Sequence, residues 1–491
     1  MHASSRRQTN CCRKPSTSGA KAPDLGNYAM SLTAALNTAL MGLSTIQAQT
    51  GVTSGNIANA QNPNYTRKMV QLTTPAVGGD PMAAVVAAIV RAAAPNLLQD
   101  YYGATADYSR LSATTDQARQ LAEALGIDDT GGGQTPLQSR LTSFEDAVKR
   151  LEATPEDTTL KALVVQRGQE LAKEVNRLAS QRTTLQSQTQ DDIRTGLDTL
   201  GDATKAIAGL NAKIIGQKAA GMPTGDLEDL RDAEVAKIAG LVGVRTITAE
   251  NGAMSIYTDA GVQLVGTTAQ SFSYDSTTGT IRNTNGDNVT AGFSEGSLRA
   301  SLDYLDGSAG ALTSSDGNVG AMEKFFNQLN SMARNIADVV NAAYGSNLFN
   351  YTAGDAAATL AIDGAFTADP NTLDATRMGA VQQAMRNTTL TATQINPAGE
   401  PNGLSTANVN IFGLVSGVMA YHARQVSDNE AARDSAENLQ ANVEQKFRNL
   451  TGVNVDDELA QLTVLQNNYA ALAQVMNAIR EMFDEVISIG R

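Results

Sequence analysis

The sequence predicts a mainly α-helical chain with a β insertion (α+β). It is expected to be elongated, with N- and C-terminal helices paired as a coiled coil, a long helical bundle next and a small antiparallel β domain outermost. Three observations predict this. Apolar residues recur every seven positions at both chain ends and through much of the interior, as in helices that pack along a seam. From Val244 the period drops to two, with turn residues between short runs, as antiparallel strands require. The 491 residues are 42% hydrophobic but only 4% aromatic, with no Trp, which suits a long, thin molecule better than one thick core.

Residues 1–29 carry Arg6, Arg7, Arg13, Lys14 and Lys21 against Asp24. No apolar stretch follows this basic start, so it does not read as a secretory signal peptide. It reads as a disordered leader, and Met30, which opens the patterned region, reads as the true start. The chain as a whole is acidic, at −13, and would be repelled by nucleic acid and by anionic membrane surfaces. Cys11 and Cys12, the two cysteines, fall in the leader, so the body has neither a disulfide framework nor a thiolate metal site. No run approaches the roughly 18 apolar residues of a membrane helix.

Residues 30–66 contain no charged side chain. Leu32, Leu36, Ala39, Leu43, Ile46 and Ile57 follow a 3-4 heptad track whose gaps Thr50 and Thr53 fill. Gly42, Gly51 and Gly55 each cost about 1 kcal/mol of helicity, so this helix is expected to fray alone and to order against partners. Asn62-Pro63-Asn64 is a turn signal, and extended runs follow to about residue 90. Helix resumes near Leu97, breaks at Gly131-Gly132-Gly133 and restarts at Pro136. Thr154-Pro155-Glu156-Asp157 reads as an N-cap, a proline in the first turn and first-turn acids.

Leu171, Leu178, Leu185, Ile193, Leu200, Ile207 and Ile214 then mark a very long helix, ended by Gly221-Met222-Pro223. A shorter helix runs through Leu227, Leu230, Ala233 and Ile238. Residues 244–305 read as the β domain, with turns at Asn251-Gly252, at Asp259-Ala260-Gly261 and between Asp275 and Gly279. Helix returns from Val319 to Val340, residues 346–405 read as irregular loops, and a long helix runs from Phe412 to Leu450. Gly452-Val453-Asn454 stops it and caps the last helix, whose first turn holds Asp456, Asp457 and Glu458, suited to the helix dipole. On that helix Leu462, Tyr469, Met476 and Phe483 form one row, and Leu465, Leu472, Ile479 and Val486 lie three residues on. Leu459 to Ile479 is again uncharged.

The expected domains are therefore 30–66 with 452–491 as a coiled-coil assembly domain, 67–243 with 317–451 as a helical bundle, and 244–305 as the β domain. Bundle helices normally carry charged outer faces. These terminal helices do not, which marks Leu32, Leu36, Leu43, Ile46, Ile57, Leu462, Leu465, Tyr469, Leu472, Met476, Ile479, Phe483 and Val486 as an assembly interface.

The stretch from Ser54 to Arg67 resembles the N-terminal signature of the bacterial flagellar rod, hook and hook-associated proteins through Asn56, Ile57, Ala58, Asn59, Ala60, Pro63, Tyr65 and Arg67. Asn454, Asp457 and Glu458, followed by Gln466-Asn467-Asn468-Tyr469, resemble the C-terminal one. Asn64 and Thr66 depart from it, since the family usually has Gly before the Tyr and Ser after it. Leu227 to Asp232, just before Leu241-Val242-Gly243-Val244, and Ser255 to Gly261 favour the hook-associated branch. The resemblance implies a structural subunit between hook and filament, exported unfolded, secreted to the flagellum outside the cell and assembled as a ring of copies of itself. The hook protein would lie below and a further junction protein or flagellin above, with an export chaperone on the C-terminal region.

No catalytic, cofactor-binding or metal-binding residues are expected. His422 is the one histidine outside the leader, so a histidine triad or cluster has no second member. Gly131-Gly132-Gly133 lacks the lysine of a phosphate loop. Asn283 to Asp287 resembles a calcium loop but has Ser294 where its glutamate should stand. Asp128-Asp129 and Asp191-Asp192 read as helix ends or solvated faces. Two other readings stay open: a flagellin or hook subunit, and a wall-modifying enzyme carried on a flagellar scaffold, which would need its site within 244–405.

Overall fold

A computed structural model describes residues 25–74, 76–77, 80–81, 83–127, 134–305, 319–397, 400–404 and 408–489. The leader up to residue 24, with its cysteines, lies outside them, as do Asp128-Asp129 and Gly131-Gly132-Gly133. Helix α1 (Leu25–Ala58) is followed by strands β1 (Lys68–Thr73), β2 (Ala76–Val77), β3 (Asp80–Pro81) and β4 (Val85–Arg91). Then come α2 (Pro95–Leu125), α3 (Pro136–Ala153), α4 (Thr158–Ala219) and α5 (Gly225–Leu241). Strands β5 (Val244–Thr248), β6 (Met254–Thr258), β7 (Gln263–Val265), β8 (Phe272–Asp275) and β9 (Thr280–Asn283) precede α6 (Gly296–Leu305) and α7 (Ala321–Tyr344). The remainder is β10 (Phe349–Asn350), α8 (Ala356–Thr359), β11 (Ala361–Ile362), α9 (Gly364–Ala368), α10 (Met378–Asn387), α11 (Ala392–Ile395), α12 (Ile411–Thr451) and α13 (Val455–Ile489).

Two compact units result. Among the described residues, one contains those of 25–61, 68–90 and 453–489, and the other those of 62–67 and 91–452. The hairpin region 68–90 thus groups with the terminal helices and not with the helical bundle, where the sequence reading placed it. Helix α1 begins at Leu25, inside the bounds expected for the leader.

In the first unit α1 packs against α13, and β1 pairs with β4. Thr45 Oγ1 donates to the Ala84 carbonyl (2.8 Å), fixing the approach to β4 on α1.

The second unit is organised by α4, 62 residues and about 93 Å long at 1.5 Å per residue. Its N-cap is Asp157, which accepts from the amides of Thr159 and Leu160 (2.8 and 3.3 Å). Thr154 instead ends α3, and Pro155 and Glu156 make the turn between the two helices. One continuous apolar core runs from Tyr102 through Phe144, Val175, Ile238, Ile256, Phe325 and Phe349 to Met419. The β region therefore shares the helices' core. Its strands form two antiparallel sheets, β5-β6-β7 and β8-β9, and its last ten residues are helix α6, not strand.

Side-chain amides bind strands to helices here. Asn211 on α4 brackets Met254, donating to its carbonyl (2.7 Å) and accepting from its amide (3.1 Å). The open edge of β5 is met by Gln99 of α2, which donates to the Val244 carbonyl (2.5 Å) and accepts from the Thr246 amide (3.4 Å).

The described residues between 346 and 404 are more ordered than the sequence suggests. Leu348, Phe349, Leu360, Leu373, Met378, Val381, Met385, Leu390 and Ile395 are all buried. A polar stripe on α7 holds this segment. Asn327 donates to the Pro401 carbonyl (3.0 Å), Gln328 to Asn402 (2.7 Å), Ser331 to Ile395 (2.6 Å) and Asn335 to Gln394 (3.0 Å). Asn341 similarly brackets Leu348 and Phe349. Buried backbone without regular partners is costly, and these amides supply the partners.

Candidate assembly site

On α1 the buried positions Ala39, Ile46 and Thr53 are spaced by seven, while Leu32, Leu36, Leu43 and Ile57 are half-buried. This is the 3-4 track read from the sequence. Gly42 sits under Leu472 of α13, and a Cβ there would come within 3.2 Å of Leu472 Cδ1. The glycine that weakens the isolated helix thus permits close approach of its partner.

Asn56 is 1% exposed and acts as a backbone surrogate. Its Nδ2 donates to the Lys68 carbonyl and its Oδ1 accepts from the Lys68 amide, both at 2.9 Å. Asn59 Nδ2 donates to the Gly55 carbonyl (2.9 Å), while Ala58 is exposed and Ala60 half-exposed.

At the start of α13, Asn454 Oδ1 accepts from the Asp456 amide (3.1 Å). Asp457 is exposed, where the helix dipole favours an acid, whereas Glu458 is buried. Among the described side chains of α13, Glu458, Leu465 and Ile479 are buried, and Leu462, Leu472, Met476, Phe483 and Val486 are half-buried. Tyr469 differs: although in the predicted row, it is 44% exposed. Leu465 and Ile479 are consumed inside the chain rather than left for a neighbour. A second apolar face, which the sequence reading missed, remains open: Val464, Val475 and Met482 are about half exposed. Their spacings of eleven and seven bring them to one side of the helix.

In the second unit the motif residues 62–67 form a turn. The Tyr65 amide donates to the Asn62 carbonyl (3.1 Å), Pro63 is exposed and Tyr65 is half-buried. Arg67 contributes through its backbone, donating to the Thr451 carbonyl (2.7 Å) and accepting from the Ala92 amide (2.7 Å). A cavity of about 100 Å³ here is lined by Tyr65, Arg91, Tyr102, Asp229, Asp232 and Arg448, among others.

Sequence reasoning missed the charged cluster beside it. Thr66 donates its amide and hydroxyl to Asp229 (3.1 and 2.6 Å). Arg91 reaches Glu228 (2.8 Å), Asp229 (3.1 Å) and Asp232 (2.5 Å). Burial opposes the Arg91 charge, but the three carboxylates outweigh it and raise its pKa. Burial pushes the Asp232 carboxyl up, against the pull of Arg91. The available signal was the 3-residue spacing of Asp229 and Asp232, which puts two acids on one face of a helix that leaves Leu230 56% exposed.

A larger cavity of about 430 Å³ is lined by Arg110, Arg299, Tyr304, Lys324, Tyr421 and His422 together with further residues. His422 is 3% exposed and stacks edge-on against Phe325 and Tyr421. Gln328 gives its amide hydrogen to Asn402, so its oxygen faces His422, and the imidazole Nε2–H donates to it (2.7 Å). Burial pushes this histidine down to about 4. Unfolded, it binds a proton near 6.5, so stability is present above that pH. About 3 kcal/mol is expected to be lost as the pH falls from 6.5 towards 4. Thermal unfolding across that window checks this: His422→Asn should flatten the slope, and an unchanged slope would refute it.

Several of the described acids between 244 and 405 serve as pairs and caps. Asp259 pairs with Arg245, Asp275 with Arg282 and Asp303 with Arg299, and Asp363 and Asp374 cap short turns. Asn283 Oδ1 accepts from the amides of Asn285 and Asp287 (2.9 Å each), which makes that loop a side-chain-closed turn. Asp191 is exposed and pairs with Arg194.

Among known proteins, residues 127–356 match the family described as flagellar hook-associated protein FlgK helical domain. Residues 444–489 match that described as flagellar basal body rod FlgEFG protein C-terminal. Over 92% of its length the chain is 22% identical to flagellar hook-associated protein 1 of Bacillus subtilis (strain 168), covering 97% of that protein. The solved structure of the flagellar hook junction protein FlgK from Burkholderia pseudomallei aligns with 52% of this chain and 47% of that one, at 17% identity and a TM-score of 0.43.

Proposed function

Since the chain belongs to the bacterial flagellar rod, hook and hook-associated proteins, we propose that it is a non-catalytic axial subunit joining hook to filament. It is exported unfolded and becomes ordered outside the cell as α1 and α13 pair in a coiled coil and pack against further copies. The hook protein lies below, flagellin or another junction protein above, and an export chaperone holds the C-terminal region beforehand.

The observation that carries this reading is the pair α1 and α13, free of charged side chains over residues 30–58 and 459–479. Its seam is closed at Ala39, Ile46, Leu465 and Ile479, while Val464, Val475 and Met482 stay open. Val464 and Val475 lie within the uncharged stretch 459–479, and an exposed apolar face of this kind is suited to burial against a neighbour. In the free subunit, glycine-interrupted helices of this kind fray, which suits passage through a narrow channel.

Deleting residues 455–491 tests it. The truncated chain is expected to be exported and to be absent from flagella, with free filament protein shed into the medium. Normal filaments on cells carrying only the truncated chain would overturn the reading. Labelling along isolated flagella should mark one short zone, whereas a flagellin would mark the whole length.

A further inference from the structure

The chain passes between its two units four times, after Gln61, Arg67, Val90 and Gly452. On the side of the second unit, three of these crossings are tied to each other. The Arg67 amide bonds Thr451, next to the last crossing, and the Ala92 amide bonds Arg67. Thr66 is held by Asp229, and Arg91, the first residue after the third crossing, by Glu228, Asp229 and Asp232. Thr66, Asp229 and Thr451 are 7, 6 and 2% exposed.

We propose that this cluster is a clasp: it gathers the chain crossings and closes the second unit by itself, so that α1 and α13 can lose or gain order without unravelling the body. The proposal rests on the reading that those helices order on assembly.

Two short backbone hydrogen bonds at a chain exit would fray, because each is worth only about 1 kcal/mol net. One guanidinium shared by three carboxylates adds position more than stability. Buried ion pairs recover little of their desolvation cost, but breaking one strands the remaining charges. Within the cluster, Asp232 Oδ1 finds no hydrogen-bond partner among the described residues, so Arg91 is what holds this carboxylate in place. What the cluster does is specify where the chain leaves the body: Thr66 and Asp229 lie 163 residues apart in sequence and meet through two hydrogen bonds.

Amide hydrogen exchange on the free full-length chain tests the clasp. In the wild type, Arg67 and Ala92 are expected to exchange at least 100-fold more slowly than the amides of α13. Arg91→Met should cost those two amides at least tenfold in protection while leaving α7 unchanged. Thr66→Val, which removes one hydroxyl, should give a smaller loss at the same positions. Unchanged protection at Arg67 and Ala92 in Arg91→Met overturns the clasp, as does a loss that extends to α7, which would make the cluster an ordinary part of the core. Slow exchange throughout α1 and α13 in the free wild type overturns instead the ordering-on-assembly reading, and with it the clasp's role as a boundary.

Discussion

Replacing Leu465 and Ile479 together by Asp is expected to abolish incorporation into flagella, by at least 100-fold, without altering the unfolding temperature of the second unit. These side chains are 5 and 3% exposed, and a carboxylate without a partner at such a position costs several kcal/mol. The helices that carry the seam have little to set against that. α1 contains Gly42, Gly51 and Gly55, and its residues 30–58 include no charged side chain that could pair with an acid. Leu459→Asp, at a position already 48% exposed, should be nearly silent. Quantifying the protein in isolated flagella, beside calorimetry of the purified chain, checks both halves. Wild-type incorporation of the double variant would mean that this seam is not used.

Gly296→Ala is expected to destabilise the second unit by at least about 3 kcal/mol. Gly296 has φ +82°, a region that a Cβ disfavours. The added Cβ would also lie 2.3 Å from the Leu241 carbonyl carbon and 2.5 Å from the Val242 nitrogen. Those are backbone atoms at the junction of α5 with β5, so relief requires moving the helix, the strand or α6. Gly286 provides the comparison: its φ is +85°, but nothing lies within 4 Å of its Cβ position. Gly286→Ala should therefore cost only about 1 kcal/mol. Equal losses in urea unfolding of the two variants would contradict the steric argument.

The long helices were legible because their apolar residues keep one period over many turns, as from Leu171 to Ile214. The turns of the β region were equally legible at Asn251-Gly252 and Asp259-Ala260-Gly261. Misreadings came where two local signals competed. Thr154 and Asp157 are both good caps, and Asp157 prevails because its carboxylate reaches two free amides of α4. Helix α6 was lost in the tail of the strands because its ten residues are too few to establish a period. The described residues between 346 and 404 looked irregular because their order is imposed from outside, largely by side chains of α7 about 60 to 75 residues earlier. The same holds for the site. The seam on α1 and α13 is periodic and could be read, whereas the bond from Thr66 to Asp229 joins distant residues and leaves no trace in local pattern.

Gln99 has a consequence for crowding. A strand with an unpaired edge invites the corresponding strand of another molecule, and the assembly of copies proposed above would present that opportunity constantly. With one amide lodged across Val244 and Thr246, the vacancy is already taken by the molecule's own helix. In the proposed assembly, neighbours would then be gathered at high density while their sheets stay separate.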